Sequence, residues 1–151
     1  MSERHGTAAL LIAEDDDEDF LLTQKAFEKA GLQIPLHRVK DGEELLDFLL
    51  GGTDPESMGK GVLLILLDLN MPRKNGRDAL REIKSHPGLK RLPVVVLTTS
   101  RLPEDVTLSY DLGVNSFIRK PFSFPELVDT IAVLKKYWLD VVALPPTGGK
   151  P

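Results

Sequence analysis

Val62-Leu63-Leu64-Ile65-Leu66-Leu67-Asp68-Leu69-Asn70-Met71-Pro72 holds the key to the fold. Six consecutive apolar residues show no alternation, so both faces of the strand they form should be buried. An internal strand of a parallel sheet reads this way. The run is also far short of the roughly 20 residues a bilayer span requires. It stops on a carboxylate, Asp68, which can serve as a turn cap or as chemistry.

On either side, short apolar runs alternate with helical patterns. Before the central strand, residues 8–13 read as a strand. The helix after it would bury Phe20, Leu21, Ala26, Phe27 and Ala30 and stop at Gly31. Residues 36–39 form a weaker strand, 43–50 a short helix, and the glycine-rich stretch 51–61 a loop. Beyond the central strand, 76–86 is a helix stopped by Pro87-Gly88 and 93–97 a fourth strand. A helix over 103–112 ends at Gly113, 116–118 is a short fifth strand, and a long helix starts near Pro125. Five strands alternating with five helices predict an α/β protein. Its sheet is parallel, five-stranded and doubly wound, with helices on both faces. In such sheets ligands gather beyond the carboxyl ends of the strands.

Those ends are unusual in composition. The first strand runs into Glu14-Asp15-Asp16-Asp17-Glu18-Asp19. Acids favour a helix N-terminus, and this accounts for Asp17, Glu18 and Asp19. It accounts less well for Glu14 and Asp15, which directly follow buried strand residues. Two carboxylates about 4 Å apart repel by roughly 4 kcal/mol at an effective dielectric of about 20. Such a cluster calls for a cation. Glu14, Asp15 and Asp68 together make a hard-oxygen site suited to Mg²⁺ with several waters retained, and a peptide carbonyl just past Asp68, such as that of Asn70, can complete it. The fourth strand ends in Thr98-Thr99-Ser100, and Lys120-Pro121 follow the fifth. A hydroxyl and an ammonium beside carboxylates and a metal are the parts that phosphoryl transfer needs.

Composition sets bounds on the class. The 151 residues are 42% hydrophobic and 28% charged, enough for one domain with its own core. There is no cysteine, which removes disulfide, thiolate-metal and cysteine-nucleophile chemistry and suits a reducing compartment. A net charge of −4 without a basic stripe argues against nucleic acid. The start lacks a basic segment followed by an apolar one, so a cytoplasmic location is expected, with no membrane partner. Residues 1–7 and 144–151 are expected to be disordered tails around a domain at 8–143.

The ordered set of Glu14-Asp15, the Leu66 to Pro72 segment with Gly76, Leu97-Thr98 and Phe117-Ile118-Arg119-Lys120-Pro121 resembles the receiver domains of two-component response regulators. The resemblance spans about residues 8–140 and implies a flavodoxin-like sheet of order 2-1-3-4-5. It implies that Asp68 is the phosphoacceptor and that Asp15 is a direct metal ligand, with Glu14 acting through a water and the Asn70 carbonyl as a further ligand. The metal would be Mg²⁺, or Mn²⁺ or Ca²⁺ in its place. Thr98 and Lys120 would bond phosphoryl oxygens, and Phe117 would be the aromatic switch, although a Phe in a short strand is also ordinary core. The wording Asn70-Met71-Pro72-Arg73-Lys74-Asn75-Gly76, the insertion at 51–61 and an apolar C-terminal extension look most like the regulators that work with phytochromes. A histidine kinase, of phytochrome type, would then be the phosphoryl donor. Thr99 departs from the alanine common beside the key threonine.

A haloacid-dehalogenase-type phosphatase would share the aspartyl-phosphate chemistry, but it carries a second Asp where this chain has Asn70. A flavodoxin-like cofactor binder would need a phosphate-cradling loop where this chain has six acids. The last helix places Phe124, Leu127, Val128, Ile131 and Leu134 on one stripe, continued by Trp138, Val141 and Val142, while Val133 and Tyr137 lie off it. By Trp138 the helix should have passed the sheet edge. The surplus apolar surface predicts a homodimer through the fourth helix, fifth strand and fifth helix.

Overall fold

The computed structural model describes residues 8–51 and 61–145. Expectations for 1–7, for most of the loop at 51–61 and for the tail from 146 lie outside these residues. Strand β1 (Ala9–Ala13) is followed by α1 (Asp17–Lys29), β2 (Leu36–Val39), α2 (Gly42–Leu50) and β3 (Val62–Leu67). Then come α3 (Gly76–Ser85), β4 (Val94–Thr98), α4 (Pro103–Asp111), β5 (Ser116–Arg119) and α5 (Phe124–Lys135). A π-helical turn over Lys136–Val141 ends the regular structure. The strands form one parallel sheet of order β2-β1-β3-β4-β5, as the alternation of strands and helices predicted.

The unbroken apolar strands separate two cores. Leu10, Ile12, Leu64, Leu66, Val95 and Leu97 face α1 and α5, meeting Phe27, Leu127 and Ile131. Leu11, Ala13, Ile65, Leu67 and Val96 face the other way, onto Leu45, Leu49, Leu80 and Ile83 of α2 and α3. Each Leu, Ile, Val or Phe among them contributes about 1.5–3 kcal/mol on burial. Side-chain caps start four helices, from Asp16, Asp41, Asn75 and Ser123.

Two expectations are corrected. Leu21 is exposed; the inward face of α1 runs through Phe20, Thr23, Phe27 and Ala30, and Leu21 sits one residue off that stripe. The segment around Trp138 does not leave the core behind. Over Lys136–Val141 the helix widens, with Val142 N–H donating to the Tyr137 carbonyl over 3.1 Å. Trp138 and Leu139 thereby pack back on the core. Val133, Tyr137 and Val141 remain exposed.

Candidate functional site

Strand register brings the acids together. Ala13 pairs with Leu67, so the next residues, Glu14 and Asp68, emerge side by side. The ladder continues into them: Asp68 N–H donates to the Ala13 carbonyl over 3.1 Å and Glu14 N–H to the Val39 carbonyl over 3.0 Å. Thr98 closes β4 opposite Arg119, and Lys120 N–H donates to the Thr98 carbonyl over 2.8 Å. Four side chains from four strand ends thus share one edge of the sheet.

Carboxylate oxygens of Glu14, Asp15 and Asp68 all lie within 4.8 Å of one another. Glu14 and Asp68 are buried and Asp15 is exposed. Thr98, fully buried, donates its hydroxyl to Asp68 Oδ1 at 2.8 Å, and Asn70 N–H reaches the same oxygen at 3.3 Å. Lys120 is also buried, and its ammonium pairs with Glu14 and, at 3.5 Å, with Asp19. Phe117 is half-buried against the α2–α3 core, and its N–H donates to the Tyr110 hydroxyl at 3.2 Å.

Burial dominates the electrostatics. It pushes the Glu14 carboxyl up to about 7, against the opposing pull of Lys120. It also raises Asp68, against the Thr98 hydroxyl and the Lys120 charge. For Lys120, burial works against the charge, but Glu14, Asp68 and Asp19 more than offset it and the net shift is upward. Three clustered carboxylates facing a single ammonium fit a small divalent cation, which would relieve both the repulsion and the burial of charge.

The acid run divides more finely than its composition suggests. Asp16, not its successors, caps α1, accepting the Asp19 N–H at 2.9 Å. Asp17 pairs with Arg38 at 2.8 Å, and Asp19 faces Lys120. Arg38 escaped sequence reasoning. Its Nε donates to the Glu14 carbonyl at 2.9 Å and its guanidinium lies 4.8 Å from the Phe20 ring centroid, so β2 steadies the loop that carries Glu14 and Asp15. The one signal was a charged residue within a strand. Across the site, Gly76 lets the β3–α3 loop fold tightly. A Cβ there would lie 2.7 Å from Leu69 Cα and would strike the Asp68 carbonyl.

Comparison with known proteins agrees with this geometry. Residues 10–132 match the response regulator receiver domain family. Response regulator Rcp1 of Synechocystis sp. is 38% identical over 143 residues, covering 95% of this chain and 97% of its own. Its Mn²⁺-bound crystal structure superposes with a TM-score of 0.81 at 38% identity, covering 91% of this chain and 99% of that one. The phosphorylated cyanobacterial phytochrome response regulator RcpA gives 0.83 at 38% identity, covering 91% and 98%. With its sheet order, its strand-end acids and this sequence match, the chain belongs to the response regulator receiver domain family.

Proposed function

We propose that the chain is a phosphoacceptor switch, with Asp68 taking a phosphoryl group from the phosphohistidine of a histidine kinase. The observation that carries this is Asp68 itself: a buried carboxylate at the end of β3, bonded by Thr98 and gathered with Glu14 and Asp15. An Asp68 oxygen attacks phosphorus in line, the phosphorus–nitrogen bond breaks, and the electron pair leaves with the imidazole. Asp68 then carries an acyl phosphate. Asp15, Asp68 and the Asn70 carbonyl would hold Mg²⁺, with Glu14 acting through a water. Bound there, the ion would neutralise charge on the phosphoryl oxygens. Lys120 turns from Glu14 toward one phosphoryl oxygen and Thr98 turns from Asp68 toward another.

The chain is a switch and not a turnover catalyst. We assign transfer from small donors such as acetyl phosphate, and self-dephosphorylation, to the same groups. The phytochrome-regulator relatives support a kinase of phytochrome type, and we assign the chain to the cytoplasm.

The output is a shift in protein contacts on the face of α4, β5 and α5, with Phe117 as the aromatic that repacks. We assign a homodimer to this face. A groove of about 610 Å³ lies on its β5–α5 side, lined by Ser116, Ile118, Val133, Leu134, Tyr137 and Trp138. It lies apart from the acidic cluster and is apolar, which suits a protein surface better than a phosphorylated one.

Phosphotransfer from candidate kinases, run with and without Mg²⁺, tests the proposal. Mg²⁺-dependent transfer is expected, and no transfer from any kinase or from acetyl phosphate would overturn it.

A further inference from the structure

Helix α4 is held differently from its neighbours. The other four helices bury apolar side chains against the sheet, whereas the buried residues of α4 are Asp105 and Ser109. No residue of Pro103–Asp111 belongs to either apolar core. Its N-cap, Leu102, provides no side-chain bond. The Ser109 hydroxyl finds no hydrogen-bond partner among the described residues. Apart from the C-cap Leu112, which packs on the α2–α3 core, polar contacts at its two ends hold α4: Tyr110 to the Phe117 N–H, and an ion pair at the first turn.

That ion pair is bidentate. Arg77 of α3 donates from Nε to Asp105 Oδ1 at 3.0 Å and from a terminal nitrogen to Oδ2 at 2.8 Å. Ser100 donates its hydroxyl to the same Oδ2 at 2.5 Å and accepts the Leu102 N–H at 3.3 Å. Arg77 also lies 3.5 Å from the Leu69 carbonyl and from Asn70 Oδ1. Ser100 N–H in turn donates to Thr98 Oγ1 at 3.4 Å, and Thr98 donates to Asp68. One polar chain therefore runs from Arg77 through Asp105, Ser100 and Thr98 to the carboxylate at the centre of the site.

We propose that Arg77 and Asp105 are positioning residues that latch the β4–α4 loop in the arrangement where Thr98 bonds the free Asp68 carboxylate. The inference rests on Asp68 as phosphoacceptor. Thr98 can serve only one oxygen at a time. For it to reach a phosphoryl group, Ser100 and the first turn of α4 must follow, and the Asp105 carboxylate must release Ser100 or Arg77. With no residue of Pro103–Asp111 in an apolar core and only the C-cap Leu112 packed on one, this ion pair sets how readily the first turn of α4 moves and the phosphorylated arrangement forms.

The test is the affinity for trifluoroberyllate, an acyl-phosphate mimic, measured calorimetrically in Mg²⁺ for the native chain, Arg77→Gln, Asp105→Asn and the double variant. Each single variant should bind roughly five- to tenfold tighter, within the usual size of such couplings. The double variant should bind no tighter than either single one, because a single latch is broken. A general charge effect gives opposite signs, with Asp105→Asn tighter and Arg77→Gln weaker; that pattern, or unchanged affinity, overturns the latch. Ser100→Ala, which cuts the link while leaving the ion pair, covers the case of a variant that does not fold and should also tighten binding. If the native chain fails to bind, the phosphoacceptor reading falls and the latch with it. Native binding with unchanged variants removes the latch alone.

Discussion

Replacing Asp68 by Asn should stabilise the metal-free protein at pH 8. Burial raises the Asp68 pKa, so its protonated form is favoured in the folded chain. That contribution is complete below the ordinary value of 3.8 and is lost as pH rises through the folded value. Once ionised, the carboxylate opposes folding. With oxygens within 4.8 Å of Glu14 and Asp15, the unscreened repulsion is at least about 3.5 kcal/mol per pair at an effective dielectric of about 20. Exposure of Asp15 screens part of it, and loss of the attraction to Lys120 offsets more. Asparagine keeps an oxygen to accept the Thr98 hydroxyl. A net gain of about 1–2 kcal/mol remains, or roughly 3–6 °C in Tm for a domain of this size. Mg²⁺ reverses the order. At about 100 times its Kd, an ion bound only by the folded chain adds about 2.7 kcal/mol to the native protein, and much less to a variant missing one ligand. Calorimetric scans at pH 8, with chelator and with Mg²⁺, read both arms. A variant that melts below the native chain in chelator, or that keeps the full Mg²⁺ shift, would refute the reasoning.

Asp15→Ala should erase most of the Mg²⁺-dependent rise in Tm, and a full shift in that variant would displace Asp15 from the metal site. Glu14 sets a pH dependence: its pKa is raised from 4.5 to about 7, so its contribution is complete below about 4.5 and is lost as pH rises through about 7. The metal-free chain should therefore lose on the order of 3 kcal/mol of stability between pH 5 and 8, and saturating Mg²⁺ should flatten the profile; a flat metal-free profile in denaturant melts would contradict the burial argument. Lys120, raised from 10.5, stays charged throughout that window and adds no slope. Light scattering should show a dimer for the native chain and a folded monomer for a Val133→Asp, Tyr137→Asp double variant, which changes exposed groove residues only; a native chain monomeric across micromolar concentrations, phosphorylated or not, would remove the dimer.

The sheet was legible because its three central strands, β1, β3 and β4, are unalternated apolar runs that stop on polar residues, so each of them both declared itself and marked its functional end. Glu14, Asp15, Asp68, Thr98 and Lys120 could be assembled from order alone, since a parallel sheet in register places all carboxyl ends on one edge. What stayed hidden depended on side-chain direction. Nothing in Asp16 to Asp19 distinguishes the cap from the residues that pair with Arg38 and Lys120. The partners Arg77 and Asp105 stand 28 residues apart and meet only because α3 and α4 are neighbours. The π-helical turn that returns Trp138 to the core keeps an apolar pattern that a longer α-helix would share.

Locating the phosphoryl group tests the central claim most directly. The native chain is treated with acetyl phosphate and Mg²⁺, the acyl phosphate is trapped by borohydride reduction, and the modified residue is read by peptide mass spectrometry. Modification should fall on Asp68, should need Mg²⁺ and should vanish in Asp68→Asn. Equal modification of that variant, or a label on Asp15 or Glu14 in the native chain, would contradict the account.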